Sequence, residues 1–315
     1  MIDEINKAAQ LLMEGKVVAI PTETVYGLAG NAFDENAVKQ IFEIKQRPLF
    51  NPLIVHIKSV DYLEQIAKDI PVKALELAKH FWPGALTLVL PKKDIIPSIV
   101  TANKETVAVR VPSHPVTLQL LNRLEFPLAA PSANPFGYIS PTKASHVEKQ
   151  LGNKIPFILD GGSCEKGIES TIIGFENDEP VLYRVGAISK EEIEKFIGKI
   201  IIKNNATSKP EAPGMLSKHY SPNTKLLVSN GIIASINEHK DNNVGFLLFS
   251  ENTELQKRKF ISLSDNNDLE EAAQNLYAAM HELDAMGFDF IIAELFPNSG
   301  LGVSINDRLH RAQKD

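Results

Sequence analysis

The chain has 315 residues, 43% hydrophobic and 23% charged, with a formal net charge of −6. That length suggests two domains and ample chain for a buried core. A single cysteine, Cys164, excludes a disulfide framework and any CxxC zinc site, and fits a reducing, cytoplasmic setting. Residues 1–205 hold 23 Lys and Arg against 24 Asp and Glu, and residues 206–315 hold 10 against 15. Neither part has the net basic footprint of a dedicated nucleic-acid binder, although a local basic groove is compatible with a neutral total. The first 15 residues carry acids and an amphipathic pattern, so they read as a helix and not as a signal peptide. No apolar run reaches the roughly 20 residues of a membrane span.

In chain order, periodicity predicts helix 3–14, strand Val17–Ile20, helix 34–46 and strand Leu53–Ile57. Helices 60–68 and 72–80 follow, then strands Leu86–Leu90 and Thr106–Val111, helix 114–123 and strand Leu128–Ala130. Helix 142–151, strands Phe157–Leu159, Ser170–Ile173 and Val181–Arg184, and helix 189–197 complete this part. Prolines 21, 52, 91, 112 and 131 sit at strand ends, which predicts irregular connections rather than a regular βαβ repeat. The expectation is one α/β domain over 1–203, wrapped around a twisted sheet. Residues 204–223, polar and rich in Pro, Ser and Asn, read as a linker. Residues 224–315 read as a small α/β unit with strands Lys225–Ser229, Val244–Ser250, Phe260–Leu263 and Phe288–Leu295 and helices 269–286 and 300–313.

There is no GxxxxGK[ST] loop, no GxGxxG, no HExxH and no GxSxG. PTETVYGL, Pro21–Leu28, instead places Thr22, Glu23, Thr24 and Tyr26 after a strand, as a polar pocket rim. KQRP (Lys45–Pro48) and NPLIVHI (Asn51–Ile57) add two cations, an amide and a histidine, a set suited to an anionic, phosphate-bearing ligand. Taken alone, Lys45 and Arg47 also suit a solvated helix end, and His56 an ordinary strand residue. Alternation puts Asn51, Ile54 and His56 off the face of Leu53, Val55 and Ile57. Thr106 and Arg110 share a strand face with small Ala108 between them, which leaves room for a ligand or forms an exposed sheet face.

Ala130–Thr142 gathers Ser132, Asn134, Ser140 and Thr142 among prolines and Gly137, as a phosphate or ribose loop would and as ordinary loops also do. In residues 160–175, Glu169, Ser170 and Thr171 start a strand facing the same region, and Arg184 ends the next. Cys164 has no suggested His or Asn partner and is read as incidental. Pro213–Pro222 holds Met, Leu, His and Tyr inside the linker, which suits a loop folding over a cleft or simple interdomain packing.

These segments, in this order, resemble the threonylcarbamoyl-AMP synthase family. PTETVYGL, KQRP with NPLIVHI, FWPGALTLVL (Phe81–Leu90), ETVAVRVPSHP, APSANPFG with SPT, GIESTI, and PGM with KHYSP carry the resemblance across nearly the whole chain. One departure is Val185-Gly186 after Arg184, where the family usually has Pro-Gly. The resemblance implies a YrdC-type catalytic domain with a twisted mixed sheet and a small Rossmann-like C-terminal α/β domain. It implies that L-threonine combines with bicarbonate or CO2 to give a carbamate. The carbamate then attacks the α-phosphate of ATP, with Mg2+ present, and pyrophosphate leaves.

The activity implied is that of a nucleotidyltransferase. The product would pass to a separate tRNA threonylcarbamoyl-transfer complex, with weak or indirect tRNA contact by this chain. Carried over residue by residue, Thr24, His56, Arg110, Ala130 and Ser170 resemble the L-threonine side. Lys45, Arg47, Asn51, Thr106, Ser132, Ser140, Arg184 and Tyr220 resemble the ATP side, with Tyr220 closing over the nucleotide. Lys45, Arg47 and Arg110 would position by charge, and no general base stands out. The alternative is an RNA-binding module of the same fold without adenylating activity. A carbamoyl-adenylating hydrogenase maturation factor is excluded by the lack of cysteine-rich zinc motifs.

Overall fold

The structure, a computed structural model, describes residues 1–203, 219–239, 242–251 and 258–313. Of the linker and lid expected over 204–223, residues 204–218 lie outside the described residues, including Pro213 and Gly214.

The order begins α1 (Ile2–Met13), β1 (Val18–Ile20), β2 (Gly27–Asn31), α2 (Glu35–Lys45), β3 (Ile54–His56). It continues α3 (Leu63–Ile66), α4 (Val72–Phe81), β4 (Leu86–Pro91), β5 (Thr106–Arg110), α5 (Pro115–Leu121), β6 (Leu128–Ala129). Then come α6 (Ala144–Leu151), β7 (Thr171–Glu176), β8 (Glu179–Arg184), α7 (Lys190–Ile197) and β9 (Ile201–Ile202). The second domain holds β10 (Lys225–Ser229), α8 (Ile232–Glu238), β11 (Val244–Leu248), β12 (Lys259–Ser262), α9 (Leu269–Asp284), β13 (Phe290–Glu294) and α10 (Leu301–Ala312).

Among the described residues, the first nine strands form one mixed sheet in the order β1-β2-β6-β3-β5-β4-β7-β8-β9. The last four form a parallel sheet, β10-β13-β11-β12. No helix among them is long and apolar enough to cross a membrane.

Four elements differ from the sequence reading. Strand β2, GLAGN, was not expected because Gly27 and Gly30 carry low strand propensity. It forms because β1 pairs with it antiparallel, Val18 opposite Ala29, so that PTETVY becomes a wide hairpin loop. Residues 157–159 shrink to a single bridge, Ile158 to Ala19. Helix α8 and the two-residue β9 are further additions.

The large sheet uses its two faces differently. Leu53, Val55, Ile57, Val107, Val109, Val111, Leu86, Leu88 and Leu90 enter the main core. Ile54, Val89 and Ala108 form a small apolar patch on the opposite face. Of these three, Ile54 lines the site cavity. The core of the second domain continues across the interface: Leu276, Met280, Ile305 and Leu309 cluster with Val25, Ala85, Ile139, Ile168, Ala187 and Tyr220. Gly167 makes part of this contact possible. Its φ is +70°, and a Cβ there would sit 2.3 Å from the backbone oxygen of Gln274 on α9.

Candidate active site

The hairpin loop is shaped by its own hydroxyls. Thr22 Oγ1 donates to the Val25 carbonyl at 2.6 Å and accepts from the Thr24 and Val25 N–H groups, each at 3.2 Å. Tyr26 turns away from the loop, and its hydroxyl donates to the Gly162 carbonyl at 2.7 Å. Burial pushes this phenol up, so it stays a neutral donor. Thr24 is thereby held where Arg110 Nη1 donates to its hydroxyl at 3.0 Å. Glu23 Oε2 lies 3.0 Å from Arg110 Nη2. The octet thus splits: Thr22, Thr24 and Val25 line a cavity, while Tyr26 anchors the loop and Glu23 braces Arg110.

Strand register sets the next wall. β3 and β5 run parallel with Ile54 opposite Ala108 and His56 opposite Arg110. Both polar side chains therefore leave the sheet on the face away from the main core. Burial, and next the charge of Arg110, push His56 down to about 3. The imidazole is neutral near pH 7. Its Nδ1 and the Arg110 Nε have no hydrogen-bond partner among the described residues. Buried polar atoms in that state are unusual in folded proteins, and both stand in the wall of the cavity.

A third wall carries cations. The left-handed C-cap of α2, Gln46 at φ 54°, reverses the chain after Lys45. Arg47 is then fixed by donating to the Asn51 carbonyl at 3.0 Å and the Pro52 carbonyl at 2.7 Å. Arg184, at the end of β8, donates from Nε and Nη2 to the Ser170 carbonyl at 3.1 and 2.8 Å. Burial, with Arg184 nearby, pushes the Arg47 guanidinium down to about 9, a sign of desolvated cations close together. Gly186 belongs to the same construction: a Cβ there would lie 2.5 Å from the backbone of Glu169, Ser170 and Thr171.

Thr24, His56, Arg110, Ala130 and Ser170 all line this one cavity, as do Arg47, Ser132, Arg184 and Tyr220. The other candidates do not. Lys45 is buried, and its Nζ donates to the Ser132 and Asn134 carbonyls, each at 2.5 Å, so it clamps the loop behind the wall. Asn51 is fully buried, and neither of its amide atoms has a partner among the described residues. Ser140 donates to Glu169 Oε1 at 2.7 Å. Thr106 shares the face of Arg110 but stands four residues away, about 13 Å along a strand, opposite Pro91.

Thr22, expected in the pocket rim, and His219, expected in a loop over a cleft, both line the cavity, although neither is among the residues assigned to a ligand; the work of Glu169 is not legible in the sequence. Glu169 was placed near the site only as a strand start. It lines the cavity and is bound by residues of the second domain, which no local motif announces. Burial works against its carboxylate, but Arg308 and Arg184 outweigh it and hold the group at about 2. Cys164 is buried, and burial raises its thiol to about 12, so it is no nucleophile.

The cavity measures about 60 Å³, room for a few waters, with His219 and Tyr220 forming part of its wall. A larger cleft of about 1370 Å³ separates residues 135–150 from α9, and none of the candidate residues lines it.

The chain is similar to known proteins over almost its whole length. A family model described as "Telomere recombination" (Sua5_yciO_yrdC) matches residues 10–186. A second, "Threonylcarbamoyl-AMP synthase, C-terminal domain", matches residues 188–313. The threonylcarbamoyl-AMP synthase of Pyrococcus abyssi is 44% identical over 98% of this chain and 94% of its own length. That of Bacillus subtilis is 45% identical over 98% and 92%. The crystal structure of P. abyssi Sua5 complexed with L-threonine matches with a TM-score of 0.91, covering 98% of this chain and 93% of that one. Two family models that tile the chain, and relatives matched almost end to end, place this chain in the threonylcarbamoyl-AMP synthase family.

Proposed function

We propose that the chain is an L-threonylcarbamoyladenylate synthase acting as a nucleotidyltransferase. The observation that carries this reading is the convergence of Arg47, Arg110 and Arg184 on one cavity, all three buried. Arg110, Thr24, His56 and Ser170 offer a cation, hydroxyls and a neutral imidazole to an amino acid. Arg47 and Arg184 offer charge to phosphates. The alternative of an RNA-binding module is not favoured, since these arginines are buried rather than displayed on a surface.

The substrates are L-threonine, bicarbonate or CO2, and ATP. The threonine amine and bicarbonate give a carbamate and water. A carbamate oxygen then attacks the α-phosphorus, the bond to the β-phosphate oxygen breaks, and pyrophosphate leaves. Arg110 takes the threonine carboxylate, and the hydroxyls of Thr24 and Ser170 orient the rest. Arg47 and Arg184 stabilise the charge that builds on the leaving pyrophosphate. Nothing in the set is tuned as a general base, so positioning and charge supply the rate. The product goes on to a tRNA threonylcarbamoyl-transfer complex, with weak or indirect contact between this chain and tRNA.

Among the described residues no group of three or more His, Cys, Asp and Glu could hold a metal ion. Glu23 and Glu169 are each tied to an arginine. The residues do not build a metal cage, and we place Mg2+ on the phosphates of ATP as part of the substrate.

A nucleotide site typically needs several hundred Å³, far more than this cavity holds. His219 and Tyr220, which line the cavity, would cover bound ATP and keep water from a carbamate that readily loses CO2. The deciding experiment is product analysis by mass spectrometry with ATP, Mg2+, bicarbonate and L-threonine. Pyrophosphate and threonylcarbamoyl-AMP should form only when both threonine and bicarbonate are present. Equal pyrophosphate release without threonine would mean a simple ATP hydrolase.

A further inference from the structure

A buried carboxylate beside a phosphate site is a liability, because it competes with the phosphates for the arginines there. Glu169 is such a group. It lines the cavity next to Ser170 and is almost wholly buried. Its partners come largely from the second domain. Arg308 Nε on α10 donates to Oε2 at 2.8 Å, and the Tyr277 hydroxyl on α9 lies 2.9 Å from Oε2 and 3.1 Å from Oε1. Arg308 is fully buried and also donates from Nη2 to the Val185 carbonyl at 2.9 Å, directly after Arg184. Its guanidinium carbon lies 5.1 Å from the centre of the Tyr220 ring. One side chain of the second domain thus touches the wall carboxylate, the loop behind Arg184 and the ring that closes the cavity.

Docking of the domains does not require this charge, since Ile305 and Leu309 of the same helix already bury apolar surface there. We infer that Arg308 is a positioning residue of the active site, which neutralises Glu169 so that no uncompensated carboxylate faces the phosphates, and which seats Tyr220. The inference rests on the reading of this cavity as the ATP site.

The other charged and titratable groups around Glu169 are Arg184 on β8, Asp307 on α10, His219, and the phenols of Tyr220 and Tyr277. Asp307 is itself paired with Arg308 Nη1 at 2.6 Å and Arg311 at 3.0 Å. With Arg308 removed, the Glu169 carboxylate faces the cavity without its ion-pair partner and repels the phosphates of ATP.

The test uses the full chain, with ATP and L-threonine titrated separately by calorimetry. Arg308→Met should weaken ATP binding by about tenfold or more, the scale of a buried charge left unpaired. L-Threonine binding should stay within about threefold, since Arg110 and Thr24 are untouched. Adding Glu169→Gln to Arg308→Met should restore most of the ATP affinity. The ATP defect of Arg308→Met relative to wild type should also shrink as pH falls from about 8 to 6, because burial favours the protonated form of a Glu169 that has lost its ion-pair partner, and a neutral carboxyl does not repel the phosphates.

Equal weakening of both ligands, with no rescue by Glu169→Gln and no pH dependence, would show a purely structural residue and overturn the inference. Should Arg308→Met not fold, Arg308→Lys decides. It keeps the charge and must bind ATP within a few-fold of wild type, and a folded Arg308→Lys that loses ATP binding overturns the inference. Failure of the wild-type chain to bind ATP would instead overturn the assignment of the cavity.

Discussion

Glu23 Oε2 sits 3.0 Å from Arg110 Nη2, with both side chains buried in the hairpin wall. This pair fixes the guanidinium in the wall of the cavity. Its cost is desolvation of two charges, which is recovered only while both partners are present.

Glu23→Gln should therefore lower stability by about 3 kcal/mol, because Arg110 is left buried and unpaired. L-Threonine supplies a replacement carboxylate. Its stabilising effect in thermal melts should be larger in Glu23→Gln than in wild type. An equal or smaller ligand-induced shift would show that Arg110 does not meet the amino acid.

The contacts to the two ligands should separate by mutation. Arg110→Ala is expected to weaken L-threonine binding, and Arg47→Ala to weaken ATP binding, each by about 2–4 kcal/mol. Calorimetry of each ligand against each variant measures both. Identical losses for both ligands in both variants would merge the two subsites into one.

Stability should fall on acidification below neutral pH. His56 and His219 are held neutral by burial, each near 3, while an unfolded histidine titrates near 6.5. A depressed native value means the unfolded chain binds more protons below pH 6.5. Stability from these two groups is therefore complete above that pH and lost as pH falls toward 3. At pH 5 the loss is about 2 kcal/mol per histidine. Urea midpoints should be flat from about pH 7 to 8 and drop by pH 5, and His56→Asn should show a shallower drop.

Tyr220 has a buried hydroxyl without a partner among the described residues, and its ring lies 5.7 Å from that of Tyr277. Tyr220→Phe should thus fold and bind L-threonine normally. Tyr220→Ala should lower kcat by about tenfold or more while leaving threonine affinity within threefold, because the closed cavity loses its cover. Stopped product assays at saturating substrates read this directly. Unchanged turnover would remove Tyr220 from closure.

Truncation after Asn205 removes every partner that Arg308, Tyr277 and the apolar interface supply. The first domain keeps its own nine-stranded sheet and main core, so it should remain folded by circular dichroism. It should make little product, since Glu169 loses Arg308 and the cavity loses Tyr220. A truncated chain with full turnover would show the second domain to be a tether.

Much of the site was legible in the sequence where the information is local. Period-2 alternation in LIVHI already separates His56 and Ile54 from Leu53, Val55 and Ile57, and the structure puts those sets on opposite faces. The same holds for Arg110 with Ala108. Prolines and caps punctuate the chain locally, which is why most elements fall within a few residues of their expected bounds. Glycine-rich β2 was illegible because its strand character comes from pairing with β1, not from its own residues.

The sequence by itself determined which residue types could meet anions, and on which face of each strand or loop they stand. Only the tertiary structure decided which of them meet. Thr106 and Arg110 share a face, yet strand rise puts Thr106 outside the cavity. Lys45 and Arg47 are two residues apart, yet the α2 cap sends Lys45 behind the wall and Arg47 into it. Glu169 and Arg308 are separated by 139 residues and meet at 2.8 Å. Charge pairing depends on distance in space, and no sequence period encodes a contact made by packing two separate sheets and their helices together.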